Sequence, residues 1–449
     1  MQKIPLKDTT VSDGKIYVRL IKGRFQTLRR LISWPMLTAF FLLCWLRIDD
    51  VPVLMFSFST HRILLFGLEL SWYDLQLLGG LLIAGATLMF FLSILAGRVW
   101  CGFACPQSVW TWIFIRIEDV VEGKANRRAK QDKQPIKQAH VYRRLLKHAL
   151  WLIVSVWTAL TFTGYFVDLY SLLSQIIHFE LPIYLVGWLM TVSAFTYLNA
   201  GIVREKICLH ACPYSRFQSV MLDQHSKVVS YDVARGEPRV SKRQLPQASR
   251  QGDCVDCTLC VQVCPVGIDI RQGLQAPCIN CGACIDACDS VMKKLSKPLG
   301  LVRFASESEL EGQRYQLLRS RLIGYFSVMS IAFATVAYGF TQTTDLLVEF
   351  NRERGAMYSI MGNGDVCNFY KVKAEAFNIE AKTMQMRVGT SAYRIYGDSD
   401  IALKPGDAYW RSVRLCTNAP AAGKTSVEMV FTAGDASLKK TTTFFAPRH

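Results

Sequence analysis

Three features of the sequence predict an α-helical membrane protein of five transmembrane helices, with an inserted ferredoxin-like segment and a C-terminal antiparallel β-sandwich. Five apolar stretches each approach the ~20 residues that a helix needs to cross a bilayer. Eight cysteines crowd between Cys254 and Cys288. The last hundred or so residues switch to short runs of alternating polarity.

The apolar stretches are Leu31–Leu46, which contains Pro35, Leu75–Ala96, Ala149–Val167, Leu181–Ile202 and Leu322–Phe340. A hydrophobic content of 51% over 449 residues, with mean hydropathy +0.19, agrees with spans beside soluble parts. The net charge of +17 is distributed unevenly. Lys and Arg number eight in Met1–Arg30, two in Arg47–Asp74, eleven in Gly97–His148, none in Asp168–Glu180 and seventeen in Val203–Arg321. This alternation follows the positive-inside rule and predicts a cytoplasmic N-terminus and a periplasmic C-terminus. The charge is thus a topology signal. No recognition motif accompanies it, so nucleic acid is not an expected partner, whereas membrane lipid is. No short apolar run ending in a small-residue cleavage site precedes the first stretch, so no cleaved signal peptide is expected.

The expected division is a cytoplasmic segment 1–30, a four-helix membrane region 31–202, a cytoplasmic ferredoxin-like segment 203–321, a fifth helix 322–340 and a periplasmic domain 341–449. Val51–Trp72 is too broken to span and reads as a small hairpin on the outer surface. Leu172–Phe179 is too short and reads as an interfacial segment. In the tail, Phe369–Ala376, Thr383–Val388, Tyr409–Leu415, Ser426–Thr432 and Lys439–Phe445 read as strands.

Cys254, Cys257, Cys260 and Cys264-Pro265 form the bacterial ferredoxin run C-x2-C-x2-C-x3-C-P. Cys278, Cys281, Cys284 and Cys288 repeat it without the proline. A tight loop lets three thiolates grip one cubane while the fourth cysteine reaches the other. Cys254, Cys257, Cys260 and Cys288 are therefore expected to hold one [4Fe-4S] cluster, and Cys264, Cys278, Cys281 and Cys284 a second. Two full runs make a zinc module the poorer reading.

A weak internal repeat lies upstream. The second stretch runs into Cys101-Gly-Phe-Ala-Cys105-Pro106 and the fourth into Cys208-Leu-His-Ala-Cys212-Pro213. On a helix, i,i+4 spacing would put both thiols of a pair on one face at the cytoplasmic boundary. Such soft donors suit Cu(I), another iron–sulfur centre or a redox disulfide, and the residues leave all three open. Cys101, Cys105, Cys208 and Cys212 are the candidate reactive and copper-binding residues. His61, His178 and His210 offer further ligands, His210 foremost because it lies between the second pair. Cys44 reads as a packing residue. Cys367 and Cys416 lie in the sandwich, where a disulfide between the sheets is the alternative to free thiols.

Gly97-Arg-Val-Trp-Cys101-Gly-Phe-Ala-Cys105-Pro-Gln, Thr163-Gly-Tyr-Phe166, Asn199-Ala-Gly201, Cys212-Pro-Tyr-Ser-Arg-Phe-Gln218, Tyr231-Asp-Val-Ala-Arg-Gly-Glu-Pro-Arg239 and Gly252–Arg271 resemble the cytochrome c oxidase accessory protein family, the FixG/RdxA/CcoG type. Asn368-Phe-Tyr-Lys-Val-Lys373 to Phe445-Ala-Pro447 looks like that family's Ig-like C-terminal domain. The resemblance implies a bacterial inner-membrane protein, polyferredoxin-like, that reduces Cu(II) to Cu(I) for assembly of a cbb3-type oxidase. The partners expected are a cytoplasmic electron donor, and oxidase subunits or a copper transporter or chaperone. A homo-oligomer is also compatible. The activity expected is that of an oxidoreductase, a cupric reductase. Two alternatives share the same residues: a quinol-linked electron-transfer subunit, and a non-redox scaffold for oxidase assembly.

Overall fold

The computed structural model describes residues 16–447 apart from 59–61, 72–74, 133, 135–137, 240–251, 342–345, 354, 356, 363, 378–382, 404–408 and 420–421. It comprises two compact units. One holds the helices and the cysteine-rich segment; the other holds 46–79, 165–168 and 337–449.

Among the described residues four helical stretches are long and apolar enough to cross a membrane: Leu77–Ala96, His140–Gly164, Ile183–Val203 and Ser320–Phe340. The fifth expected stretch is not among them. Its helix, Arg24–Leu42, carries Arg24, Arg29 and Arg30 in its first two turns. Gln26, Arg29 and Ser33 are turned inward, while Leu31, Trp34 and Leu42 stay exposed. Polar groups drawn into protein keep the charges of this helix away from an apolar solvent, and the apolar ones are left outside. The Ile183–Tyr197 helix continues as a π-helix over Leu198–Val203.

The cysteine-rich segment is pinned by one short antiparallel pair, Val228–Tyr231 with Val302–Ala305. Beneath it lie the helices Leu259–Gln262 and Ala283–Lys294. Val229, Ile270, Ile285, Met292 and Leu301 bury their side chains around them.

The second unit is a β-sandwich. One sheet orders Arg394–Tyr396, Arg411–Thr417, Val366–Ala376 and Leu346–Arg352, with Ser359–Ile360 also paired to Val366–Ala376. The other orders Asp400–Ala402, Thr383–Val388, Lys424–Ala433 and Ala436–Phe445. Tyr370, Met384, Leu415, Phe431 and Phe444 fill the core. The burial of Lys424–Ala433 alternates, as a strand with one core face requires. Asn368 ties the sheets: its amide donates to Phe445 O at 2.8 Å and its oxygen accepts from Phe445 N at 3.1 Å. Cys367 and Cys416 form a disulfide, but they are register partners on neighbouring strands, so the bridge lies within one sheet and not between two. The expected hairpin at 51–72 is a three-stranded meander, Leu54–Ser57, Arg62–Leu65 and Leu68–Ser71. Its buried Arg62 pairs with Glu375 at 3.4 Å and lies over the Phe377 ring.

Candidate functional site

The two ferredoxin runs share one backbone solution. Asp256 and Asn280, each just before the second cysteine of its run, have φ of 47° and 51°. Thr258 and Gly282, just after it, have φ of 56° and 69°. Left-handed residues on both sides of the second cysteine curl the loop around it. Asp, Asn and Gly adopt that conformation readily; Thr258, β-branched, does so at a cost.

The fourth cysteine of each run crosses over. Cys288 lies in electrostatic range of Cys260, Cys254 and Cys257. Cys264 is in range of Cys281 and Cys278, and Cys284 of Cys281, Cys278 and Cys264, with Cys260 of the other run the weakest of its neighbours. The result is two quartets. Burial pushes the Cys264 and Cys288 thiols up to about 12, and Cys260 and Cys278 up to about 11. Such buried thiols become thiolates when a cationic metal group displaces their protons to solvent. A cavity between them is walled by Val229, Ile268 and Ile270 and by Cys260, Cys264, Cys278, Cys281 and Cys284. Among the described residues no three His, Cys, Asp or Glu side chains close around one ion. Two thiol quartets in the ferredoxin spacing, the second lining an apolar cavity, fit cysteine-ligated clusters such as the [4Fe-4S] cubane.

The upstream pairs adopt a matched geometry. Cys101 lies in the short helix Val99–Phe103 and Cys208 in Glu205–His210. Each chain then breaks in the same way: Ala104 N and Cys105 N both donate to Trp100 O, and Ala211 N and Cys212 N both donate to Ile207 O. A new helix starts at Pro106 and at Pro213, with Cys105 and Cys212 as its N-cap. Proline at the first helical position explains the break. The paired thiols therefore do not share one helical face; the second of each pair sits at a helix N-terminus.

The four upstream thiols nevertheless converge. Cys101 is in range of Cys105, Cys208 and Cys212, and Cys208 of Cys105 and Cys212. Burial pushes Cys101 up to about 12 and Cys208 up to about 11. Burial also raises Cys105, against the pull of the Ser108 and Gln107 N–H groups. Cross-ties hold the two repeats together. Gln107 Nε2 donates to Asn199 O at 2.9 Å and Arg204 O at 3.1 Å, and Gln218 Nε2 donates to Gly97 O at 2.7 Å.

The upstream thiols abut the second quartet. A Cβ on Gly102 would stand 2.6 Å from Ile279 O and 2.9 Å from Cys281 Cα, so only glycine lets the two loops touch. Cys101 packs on the same apolar cluster as Cys264, Cys278 and Cys281. Asn280 Nδ2 donates to Ala96 O at 3.3 Å. His210 is exposed at its helix end, and His178 is exposed with Nδ1 on Ser174 O. His61 lies outside the described residues. Cys44 is a buried free thiol near Phe41 O. Gln218 joins the two repeats although nothing in the sequence pattern of its motif marks it out.

The fold and this site define a membrane-associated electron-transfer protein of the dicluster ferredoxin type. Residues 203–307 match the family described as "4Fe-4S dicluster domain", and 336–447 match the "IG-like fold at C-terminal of FixG". The chain is 31% identical over 414 residues to the nitrogen fixation protein FixG of Rhizobium meliloti, covering 83% of this chain and 79% of that protein. It is 33% identical over 392 residues to protein RdxB of Cereibacter sphaeroides and 32% over 393 to RdxA of the same organism, with 84% of this chain and 82% of each relative covered. The chain belongs to the FixG/RdxA/RdxB family of iron–sulfur electron-transfer proteins.

Proposed function

We propose that this protein reduces Cu(II) to Cu(I) at the thiols Cys101, Cys105, Cys208 and Cys212 and hands the product on for the copper centre of a cbb3-type cytochrome c oxidase. The supporting observation is the convergence of four soft thiols, two from each repeat, against the loop of the second quartet. One [4Fe-4S] cluster in each quartet supplies one-electron carriage when bound. The reaction consumes one electron per copper, and a cytoplasmic donor supplies it. The chain's own residues hold the metal. Thiolate sulfur prefers Cu(I) over Cu(II), so a donor set of these four cysteines favours the reduced product. Each thiol that binds gives up its proton. Gly102 keeps the binding loop against Cys281.

The same reading places the cysteine-rich segment in the cytoplasm and the sandwich in the periplasm of a bacterial inner membrane, in contact with lipid. The Lys and Arg distribution supports that orientation, as does a disulfide in the sandwich. Oxidase subunits, or a copper transporter or chaperone, are the expected acceptors.

The test uses the purified, anaerobically reduced protein. Cu(II) is added, Cu(I) is followed with a Cu(I)-specific chromogenic chelator, and the cluster EPR signal is recorded in parallel. Loss of the reduced signal as Cu(I) appears is expected. The variant with Cys101, Cys105, Cys208 and Cys212 all changed to Ala should keep its iron and lose copper reduction. Undiminished reduction by that variant would refute the proposal.

A further inference from the structure

We infer that Arg29 and Arg98 set the second quartet, Cys264, Cys278, Cys281 and Cys284, at a higher reduction potential than the first, so that the quartet abutting the upstream thiols holds the electron more readily. This rests on the quartets carrying their clusters, and not on copper.

Both arginines are buried, each 8% exposed. Arg29 belongs to the Arg24–Leu42 helix, whose first turn is docked on the second run. Phe25 N and Gln26 N donate to Asp286 at 3.1 and 2.8 Å, and Gln26 Nε2 donates to Cys281 O at 3.3 Å. One turn on, Arg29 donates to the neutral Ser108 O at 3.3 Å, and the charged group in its range is Cys281. Arg98 precedes Cys101 by three residues and donates to Ser215 O. Asn280 of the second run donates to Ala96 O, two residues before Arg98, and the ionisable groups in range of Arg98 include Cys278, Cys101 and Cys208. Neither guanidinium pairs with a carboxylate among the described residues.

A buried guanidinium without a counter-ion is costly, so an anionic partner is required nearby. The thiolates of the second quartet are that partner. The first quartet is compensated differently. Arg271, in range of Cys260, is tied to Asp269 at 2.7 Å and to Asp256. Arg235 and Lys297 share Asp253, at 2.6 and 3.5 Å, and Asp289 adds negative charge beside Cys288. Reduction adds one negative charge to a quartet. Two buried cations that no carboxylate pairs lie beside the second quartet, where the Asp286 carboxylate is held by Phe25 N and Gln26 N, and paired or acidic groups lie beside the first, which favours that charge on the second.

The test is EPR-monitored potentiometric titration of the full chain. The two signals are assigned with Cys257→Ser, which alters the first quartet alone. Arg29→Gln and Arg98→Gln should each lower the second cluster's midpoint by a tenfold change in electron occupancy or more, about 59 mV for a one-electron couple. The first midpoint should stay in place, and Arg29→Lys should keep the wild-type value. An unmoved second midpoint, or an equal fall in both, overturns the inference. If both Gln variants lose iron from the second quartet, retention of that iron in Arg29→Lys and Arg98→Lys supports the charge role, and its loss there too overturns it. The titration contains no copper, so a failed copper reduction leaves its result untouched.

Discussion

Cys101 and Cys208 differ from ordinary cysteines because burial disfavours their thiolates, which places them at about 12 and about 11. At neutral pH both are therefore protonated before metal arrives. Any metal they take must displace a proton from each, so affinity rises with pH up to the region of those values. Anaerobic Cu(I) addition in weak buffer should acidify the solution by about one proton per thiol engaged. The variant lacking all four upstream cysteines should release none. An indicator dye reads both, and proton-free binding by the intact chain would mean that the thiols are already ionised. At this scale the cysteines were legible because spacing alone encodes ferredoxin loops. Arg29, Arg98 and Gly102 were not. Counting Lys and Arg for topology treats every cation alike, and the need for glycine at 102 arises from a loop almost 180 residues away.

Elements repeat the lesson in both directions. The period-2 patterns of Thr383–Val388 and Lys424–Ala433 marked strands because one face of each is buried. Short strands such as Arg394–Tyr396 and Asp400–Ala402 escaped, since three residues carry too little periodicity. The i,i+4 spacing of the upstream pairs suggested continuous helices, whereas Pro106 and Pro213 start new ones. A further feature was invisible from sequence: the knot that joins the helices behind the upstream thiols. Glu118, 1% exposed, receives Arg128, Arg204 at 2.6 Å and Lys147 at 3.9 Å, from three separate segments. Lys147 also binds Glu122 at 2.9 Å and lies over the Trp151 ring. Glu118→Gln removes the one carboxylate common to all three cations and strands buried charge. The expected cost is about 3–5 kcal/mol, seen as a lower thermal midpoint with unchanged iron at low temperature. A midpoint equal to that of the wild type would show that the knot contributes no net stability.

For the whole molecule, one helix carries the topological argument. Ser320–Phe340 is the apolar helix between the dicluster segment, 203–307, and the Ig-like domain, 336–447. In the proposed topology this helix is a crossing, and the two domains lie on opposite sides of a membrane. The sequence favoured five spans because Leu31–Leu46 is apolar by itself; the helix that forms starts earlier and draws in Arg24, Arg29 and Arg30. Sidedness then rests on charge and redox chemistry. Seventeen Lys and Arg in Val203–Arg321 resist export, and a Cys367–Cys416 disulfide persists in an oxidising compartment. Alkaline phosphatase, which gains activity only after export, discriminates the orientations when fused after Ser296 or after His449. The expected pattern is activity at His449 and none at Ser296. The reverse pattern would put the cysteine quartets outside, where no cytoplasmic donor reaches them, and activity at both sites would remove Ser320–Phe340 as a crossing. Either result would take away the compartment that the copper reading requires.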